Sequence, residues 1–225
     1  DAACKEPVQP PSVDFVFTPM SGDQLYYNRQ YEITWQASNG VANVQLLLYR
    51  MAPNLYRSAL PDDADLPTLQ AQGISTVINF YQRNDDWLSG SNLTAVHEPL
   101  HADRVTDTDV IRVLREIRAG QQHGNVLIHC KHGQNRTGLM AAMYRIVFDG
   151  WSREQAMAEM LEGGFGDGEL MSDAVGYLNR VDVAAVRNAV ASGACSTKAM
   201  ALCQLRALWQ RADPVADQRV AMDAG

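Results

Sequence analysis

Val126-Leu127-Ile128-His129-Cys130-Lys131-His132-Gly133-Gln134-Asn135-Arg136-Thr137-Gly138 is the stretch on which the fold of this chain turns. An apolar run suited to a buried strand leads at once into a short polar loop opened by a cysteine, and then into the start of a helix. Such a loop turns the backbone N–H groups of residues 131–136 inward as a concave nest, and the positive end of the following helix adds to its field. That geometry suits an anion of the size and charge of phosphate. Gly133 gives the loop a backbone conformation that a side chain would obstruct. The same field favours the thiolate of Cys130, drawing its pKa below the ~8.5 of a free cysteine. Arg136 can fold back and hold two anion oxygens in a bidentate fork, which the point charge of a lysine cannot reproduce.

These residue types point to phosphoryl transfer. Its transition state is loose, so positioning and charge stabilisation matter more than covalent activation. Cys130 is then the nucleophile, attack gives a phosphocysteine, and water hydrolyses it with no metal or other cofactor required. Thr137 can donate a hydrogen bond to the departing sulfur. His129 is read as structural support that braces the loop through backbone hydrogen bonds rather than as a base. Lys131, one of only three lysines in the chain, lies on the rim with His132, Gly133, Gln134 and Asn135. Lys131 and His132 can contact substrate and Gln134 can orient the hydrolytic water, or their side chains are simply solvated. Singly these residues say little, since a buried cysteine at a strand end is usually a small hydrophobe. The joint pattern His-Cys-x-x-Gly-x-x-Arg-Thr-Gly arises by chance in such a chain on the order of once in a million.

Around this unit, short apolar strands alternate with amphipathic helices, which predicts an α/β fold with a central, mostly parallel sheet flanked by helices. The phosphate loop then sits at the C-terminal end of a central strand. Strands are expected at 55–58, 75–80, 95–100 and 126–129. A helix carrying Val110, Ile111, Val113, Leu114 and Ile117 on one face follows a Thr106-x-x-Asp109 capping pattern. A second helix runs from 136 to about 149, and a third is capped by Ser152-x-x-Gln155 and ended by Gly163 and Gly164. Ahead of this domain, residues 1–12 are proline-rich and read as a flexible leader, with Cys4 lipidated or free. Residues 13–45 carry β-branched and aromatic runs at 13–17, 31–35 and 44–48, the last reaching into the next segment, and form a β-rich extension too short for a whole sandwich. The phosphatase-like domain spans 46–212, mainly helical towards its end, and 213–225 is a frayed tail. Gly163-Gly164-Phe165-Gly166-Asp167-Gly168 is a connection rather than a dinucleotide fingerprint, for want of a preceding strand.

With 225 residues, 46% of them hydrophobic, the chain can bury one sizeable core. Its net charge of −7 argues against a nucleic-acid or anionic-membrane surface, so an anionic substrate must be captured locally. No apolar run approaches the ~20 residues of a membrane span. The chain begins at Asp1 without a methionine, as a trimmed precursor would.

The loop motif resembles that of the cysteine-based protein tyrosine and dual-specificity phosphatases. Residues from about 46 to 203 are similar to a bacterial, exported branch of that family, the periplasmic tyrosine phosphatases that restrain biofilm formation. Leu48-Tyr49-Arg50-Met51, Leu55-Tyr56-Arg57-Ser58-Ala59-Leu60-Pro61, His101-Ala102-Asp103-Arg104-Val105 and Ala141-Ala142-Met143-Tyr144-Arg145-Ile146-Val147 carry the likeness. The resemblance implies phosphotyrosine-containing protein substrates, a periplasmic or otherwise exported setting, and a membrane-bound diguanylate cyclase as a candidate target. Residues 1–45 depart from the pattern. The general acid must come from another loop, where Asp103, Asp107 and Asp109 compete. Asp109 fits the cap and Asp107 the first helical turn, where acidic residues offset the dipole. Asp103 has no such duty and corresponds to the family's acid, against the plainer reading of an exposed loop aspartate. An exported setting and two otherwise unexplained cysteines predict a Cys195–Cys203 disulfide. Two other functions compete. An inositol-phosphate or phosphoinositide phosphatase would share the chemistry, although such enzymes usually show two loop lysines and Gln134 replaces the second. A phosphate-binding or adhesive module would make the N-terminal strands the working part.

Overall fold

The computed structural model describes residues 48–163, 165, 171–198 and 200–204. The leader, the strands expected at 13–17 and 31–35, all but the last residue of 44–48, most of the glycine-rich connection and the tail lie outside them. Five strands form one sheet in the order β1 (Tyr49–Ala52), β2 (Leu55–Ser58), β5 (Asn125–His129), β3 (Ile74–Asn79), β4 (Thr94–His97). Only β1 with β2 is antiparallel. Among the described residues six helices accompany the sheet: α1 (Leu66–Ala71), α2 (Asp107–Gly120), α3 (Asn135–Phe148), α4 (Arg153–Glu162), α5 (Ser172–Arg180) and α6 (Val183–Ser192).

Period-two alternation sorts the strand residues between two cores. Leu55, Ile78, Val126 and Ile128 pack with α2 and α3, and with residues of α4, α5 and α6. Tyr56, Val77 and Leu127 face the other way, with Leu69 of α1 and Leu88, and Ile74 joins them across an irregularity in the β3–β5 pairing between Ile74 and Thr76. A parallel sheet covered on both faces needs near-continuous apolar strands, and Val126, Leu127 and Ile128 are fully buried. The central helix α3 is buried from Thr137 to Val147, so its sequence shows little amphipathic contrast. The amphipathic helix α2 buries Val110, Ile111, Val113, Leu114 and Ile117.

Both expected capping boxes are present, at Thr106 with Asp109 and at Ser152 with Gln155. Some boundaries differ. Strand β1, which the sequence pattern does not announce, begins at Tyr49 and turns through Pro53 and Asn54 to pair with β2. The strand expected to reach residue 100 ends at His97. Beyond it Glu98 and Leu100 still donate to the carbonyls of Asn79 and Phe80, but Pro99 has no N–H to continue a ladder. No helix among the described residues is long and apolar enough to cross a membrane.

Candidate active site

Strand β5 ends at His129, and Cys130 opens the loop that reaches α3 at Asn135. Cys130 is 2% exposed. Burial is the largest influence on its thiol and pushes the pKa up. Hydrogen bonding from the Thr137 side chain and N–H, the Arg136 charge and the N–H of His132 together outweigh it, and the thiol lies below its ordinary value. The buried Thr137 hydroxyl meets full hydrogen-bond geometry with no described group, yet stands near enough to the sulfur to favour the thiolate. Lys131 and His132 are exposed, Gln134 and Asn135 half-buried, and Gly133 buried.

Gly133 has φ +70°, and a Cβ there would lie 2.6 Å from the Ser58 carbonyl oxygen and 2.8 Å from the Ala59 nitrogen. Both obstacles are backbone, so the loop must move if a side chain is added. Leu60 N–H donates to the Lys131 carbonyl, joining the same two segments. Gly133→Ala is therefore expected to lower the melting temperature by roughly 2–10 °C, from about 1–3 kcal/mol of backbone strain. It should also cut turnover by about 10²-fold through misplacement of the nest. Melting curves and steady-state kinetics check both, and unchanged kinetics would show that the loop tolerates the shift.

Arg136 is held from its back. Nη1 donates to the Phe80 carbonyl (3.1 Å), Gln82 Oε1 (2.8 Å) and the Leu100 carbonyl (3.4 Å). Gln82 Nε2 donates in turn to Leu100 at 2.6 Å, and the Tyr81 ring lies 5.6 Å from the guanidinium carbon. All of these bonds leave from Nη1, so the Nε and Nη2 edge is the one disposed to hold phosphate oxygens.

His129 requires a correction. Its fully buried ring does not reach the loop backbone; Nε2 donates to Asp85 Oδ2 at 2.8 Å, and Nδ1 has no partner among the described residues. Asp85 Oδ1 accepts from the Asn79 side-chain amide at 2.9 Å, and Asn79 Oδ1 accepts from the Tyr81 N–H at 2.6 Å. His129 thus ties the nucleophile's strand to the 80–85 segment that holds Arg136.

The three competing aspartates are differently occupied. Both oxygens of Asp107 accept hydroxyls, from Tyr177 and from Thr197, each at 2.8 Å. Tyr177 is pushed well above the ordinary phenol range, first by burial and then by Asp107. Asp109 caps α2 through Thr106 and meets Arg112 at 3.1 Å. Asp103 lies in a short helical turn, Ala102–Arg104, with its side chain 66% exposed and, among the described residues, a 3.6 Å ion pair to Arg104 alone. Helix α5 packs against that turn. Cys195 and Cys203 are joined by a disulfide close to Thr197.

Arg57, Asn79, Gln82 and Asp85 were not anticipated. One signal was present for Arg57, a charged residue within an otherwise buried strand.

The family profile described as "Dual specificity phosphatase, catalytic domain" matches residues 55–163. The dual specificity protein phosphatase TpbA of Pseudomonas aeruginosa (strain UCBPP-PA14) is 49% identical over 160 residues, 71% of this chain and 73% of that protein. The crystal structure of P. aeruginosa TpbA superimposes with a TM-score of 0.62 at 49% identity, covering 64% of this chain and 90% of the other. A cysteine-to-serine form of that protein in complex with phosphotyrosine gives 0.63 at 48% identity, covering 65% and 91%.

Proposed function

This chain belongs to the dual-specificity phosphatase family, and from that premise we propose that it dephosphorylates phosphotyrosine in proteins through a phosphocysteine on Cys130. The observation that carries the proposal is a buried cysteine whose thiol is held below its ordinary value, with Arg136 presenting a free edge from the first turn of α3. Substrate phosphate is held by the loop N–H groups and by Nε and Nη2 of Arg136, in line with the sulfur. Cys130 attacks phosphorus, the S–P bond forms as the phenolic P–O bond breaks, and the proton of Asp103 passes to the leaving oxygen. Water, oriented by Gln134, then attacks the phosphocysteine and gives its proton to the Asp103 carboxylate. The Thr137 hydroxyl stabilises the departing thiolate. The exposed Lys131 and His132 contact the substrate peptide from the rim.

The assignment of Asp103 rests on its freedom, because Asp107 and Asp109 spend their oxygens on structural bonds. The likeness to a phosphatase crystallised with phosphotyrosine supports a tyrosine substrate. A periplasmic setting is part of the proposal, supported by the Cys195–Cys203 disulfide, since such bonds persist in oxidising compartments. There the target would be the phosphotyrosine of a membrane-bound diguanylate cyclase.

Side-by-side turnover of phosphotyrosine peptides, phosphoserine peptides and inositol phosphates tests the substrate class. We expect kcat/KM on the phosphotyrosine peptide to exceed that on inositol phosphates by about 10²-fold or more, because one loop lysine offers little to a polyanion. The reverse order would transfer the site to inositol phosphates.

A further inference from the structure

We propose that Arg57 is a positioning residue of the phosphate loop, its buried guanidinium fixing the Gly133 peptide and placing a second fixed positive charge beneath the anion site. The inference rests on the reading of Cys130 and Arg136 as a phosphatase centre. Arg57 lies in β2, one residue before the strand's end, and is 2% exposed. Its Nη2 donates to the Gly133 carbonyl at 2.6 Å, and its guanidinium carbon sits 3.8 Å from the centre of the Phe165 ring.

A buried charge ordinarily has a carboxylate within reach, because an unpaired one is strongly disfavoured. Among the described residues no carboxylate forms an ion pair with Arg57. Glu159 of α4 is the nearest source of negative charge by influence, but its oxygens are engaged by Arg145 of α3 at 2.7 and 3.0 Å. Burial lowers the Arg57 pKa to about 10, with Glu159, Cys130 and Tyr49 raising it and Arg145 lowering it, so the side chain stays charged at neutral pH. Among the described residues Cys130 follows Glu159 as a source of negative charge felt by Arg57, and the phosphate that the loop receives would be another.

The bond to Gly133 also has a direction. A loop carbonyl aimed at the anion would repel it. Arg57 draws the Gly133 oxygen to the β2 side, and a planar trans peptide then sends the Gln134 N–H the opposite way, available to the anion. The same peptide is the one whose glycine is pressed against Ser58 and Ala59. Arg57 and the tail of β2 thus form the floor of the nest.

Two variants test this, Arg57→Met, which removes charge and donor at similar length, and Arg57→Lys, which keeps the charge without the fork. For each, the pH dependence of iodoacetamide alkylation at Cys130 is followed by mass mapping of its peptide, with inhibition by inorganic phosphate and melting measured alongside. In Arg57→Met the alkylation midpoint should rise by about half a pH unit or more as a nearby positive charge is lost. Phosphate inhibition should weaken by about 10-fold. In Arg57→Lys the midpoint should stay near wild type while phosphate inhibition weakens by roughly 3-fold. A folded Arg57→Met with the wild-type midpoint and wild-type phosphate inhibition would overturn the proposal. If that variant shows no cooperative melting, Arg57→Lys decides, and wild-type phosphate inhibition there rejects the role. Failure of the underlying reading looks different: wild-type protein alkylated at Cys130 would still turn over substrate.

Discussion

Cys130→Ser should lose turnover of an aryl phosphate by about 10⁴-fold or more while still binding inorganic phosphate. The influences that draw the thiol down are the Thr137 hydroxyl and N–H, the Arg136 charge and the His132 N–H, and together they must overcome burial. A free thiol's ordinary pKa is only a little above neutrality, so a net lowering favours the thiolate at neutral pH. A serine hydroxyl is far less acidic than a thiol, so the same field leaves it protonated and weakly nucleophilic. The donors that hold phosphate are untouched by the change, and removing the thiolate also removes its repulsion for a dianion. Affinity for phosphate should therefore be kept or improved, as titration calorimetry would record, while single-turnover release of the phenol stops. Near-normal turnover by the serine variant would refute a cysteine nucleophile.

The parts of this site that could be read in the sequence are those whose partners are close along the chain. Cys130, Arg136 and Thr137 fall within one strand, loop and helix start, so their spacing carries their geometry. The capping pairs Thr106 with Asp109 and Ser152 with Gln155 span three residues each, and both helix starts follow from them. The neighbours of Arg57, Gln82 and His129 are another matter. Arg57 meets Gly133 across 76 positions, Gln82 meets Arg136 across 54, and His129 meets Asp85 across 44. Nothing local announces such pairs, because they arise only when β2, β5 and β3 lie side by side in the sheet. The hairpin of β1 was hidden for a related reason. Four residues are too few to show a period.

The choice among three aspartates shows how packing adds to sequence. From spacing Asp109 belonged to the cap and Asp107 to the first helical turn, where it offsets the dipole, which left Asp103 without such a duty, and the family likeness pointed the same way. In the fold Asp107 accepts the Tyr177 and Thr197 hydroxyls on separate oxygens, which fastens the start of α2 to α5 and to the disulfide-bonded segment. Protonating or redirecting that carboxyl would break those bonds. Asp103, one turn earlier, gives up nothing by acting as an acid, since an exposed pair with Arg104 at 3.6 Å contributes little.

Asp103→Asn is accordingly expected to lower turnover of a poor leaving group by about 10²-fold or more. Asparagine can still donate a hydrogen bond but has no proton to transfer, so a phenolate that needs protonation as it departs is slowed. An activated aryl phosphate leaves with little help, and its first step should suffer much less. In the first step the protonated carboxyl is the active form, so the loss in the variant should depend on how much help the leaving group needs. Single-turnover phenol release from both substrates, in wild type and variant, isolates phosphorylation of Cys130 from hydrolysis of the phosphocysteine. Equal losses for the two leaving groups would take the acid away from Asp103. Asp107→Asn would then be the next variant, and it carries its own control: if Asp107 only fastens α2, its loss should fall on melting temperature and on both substrates alike.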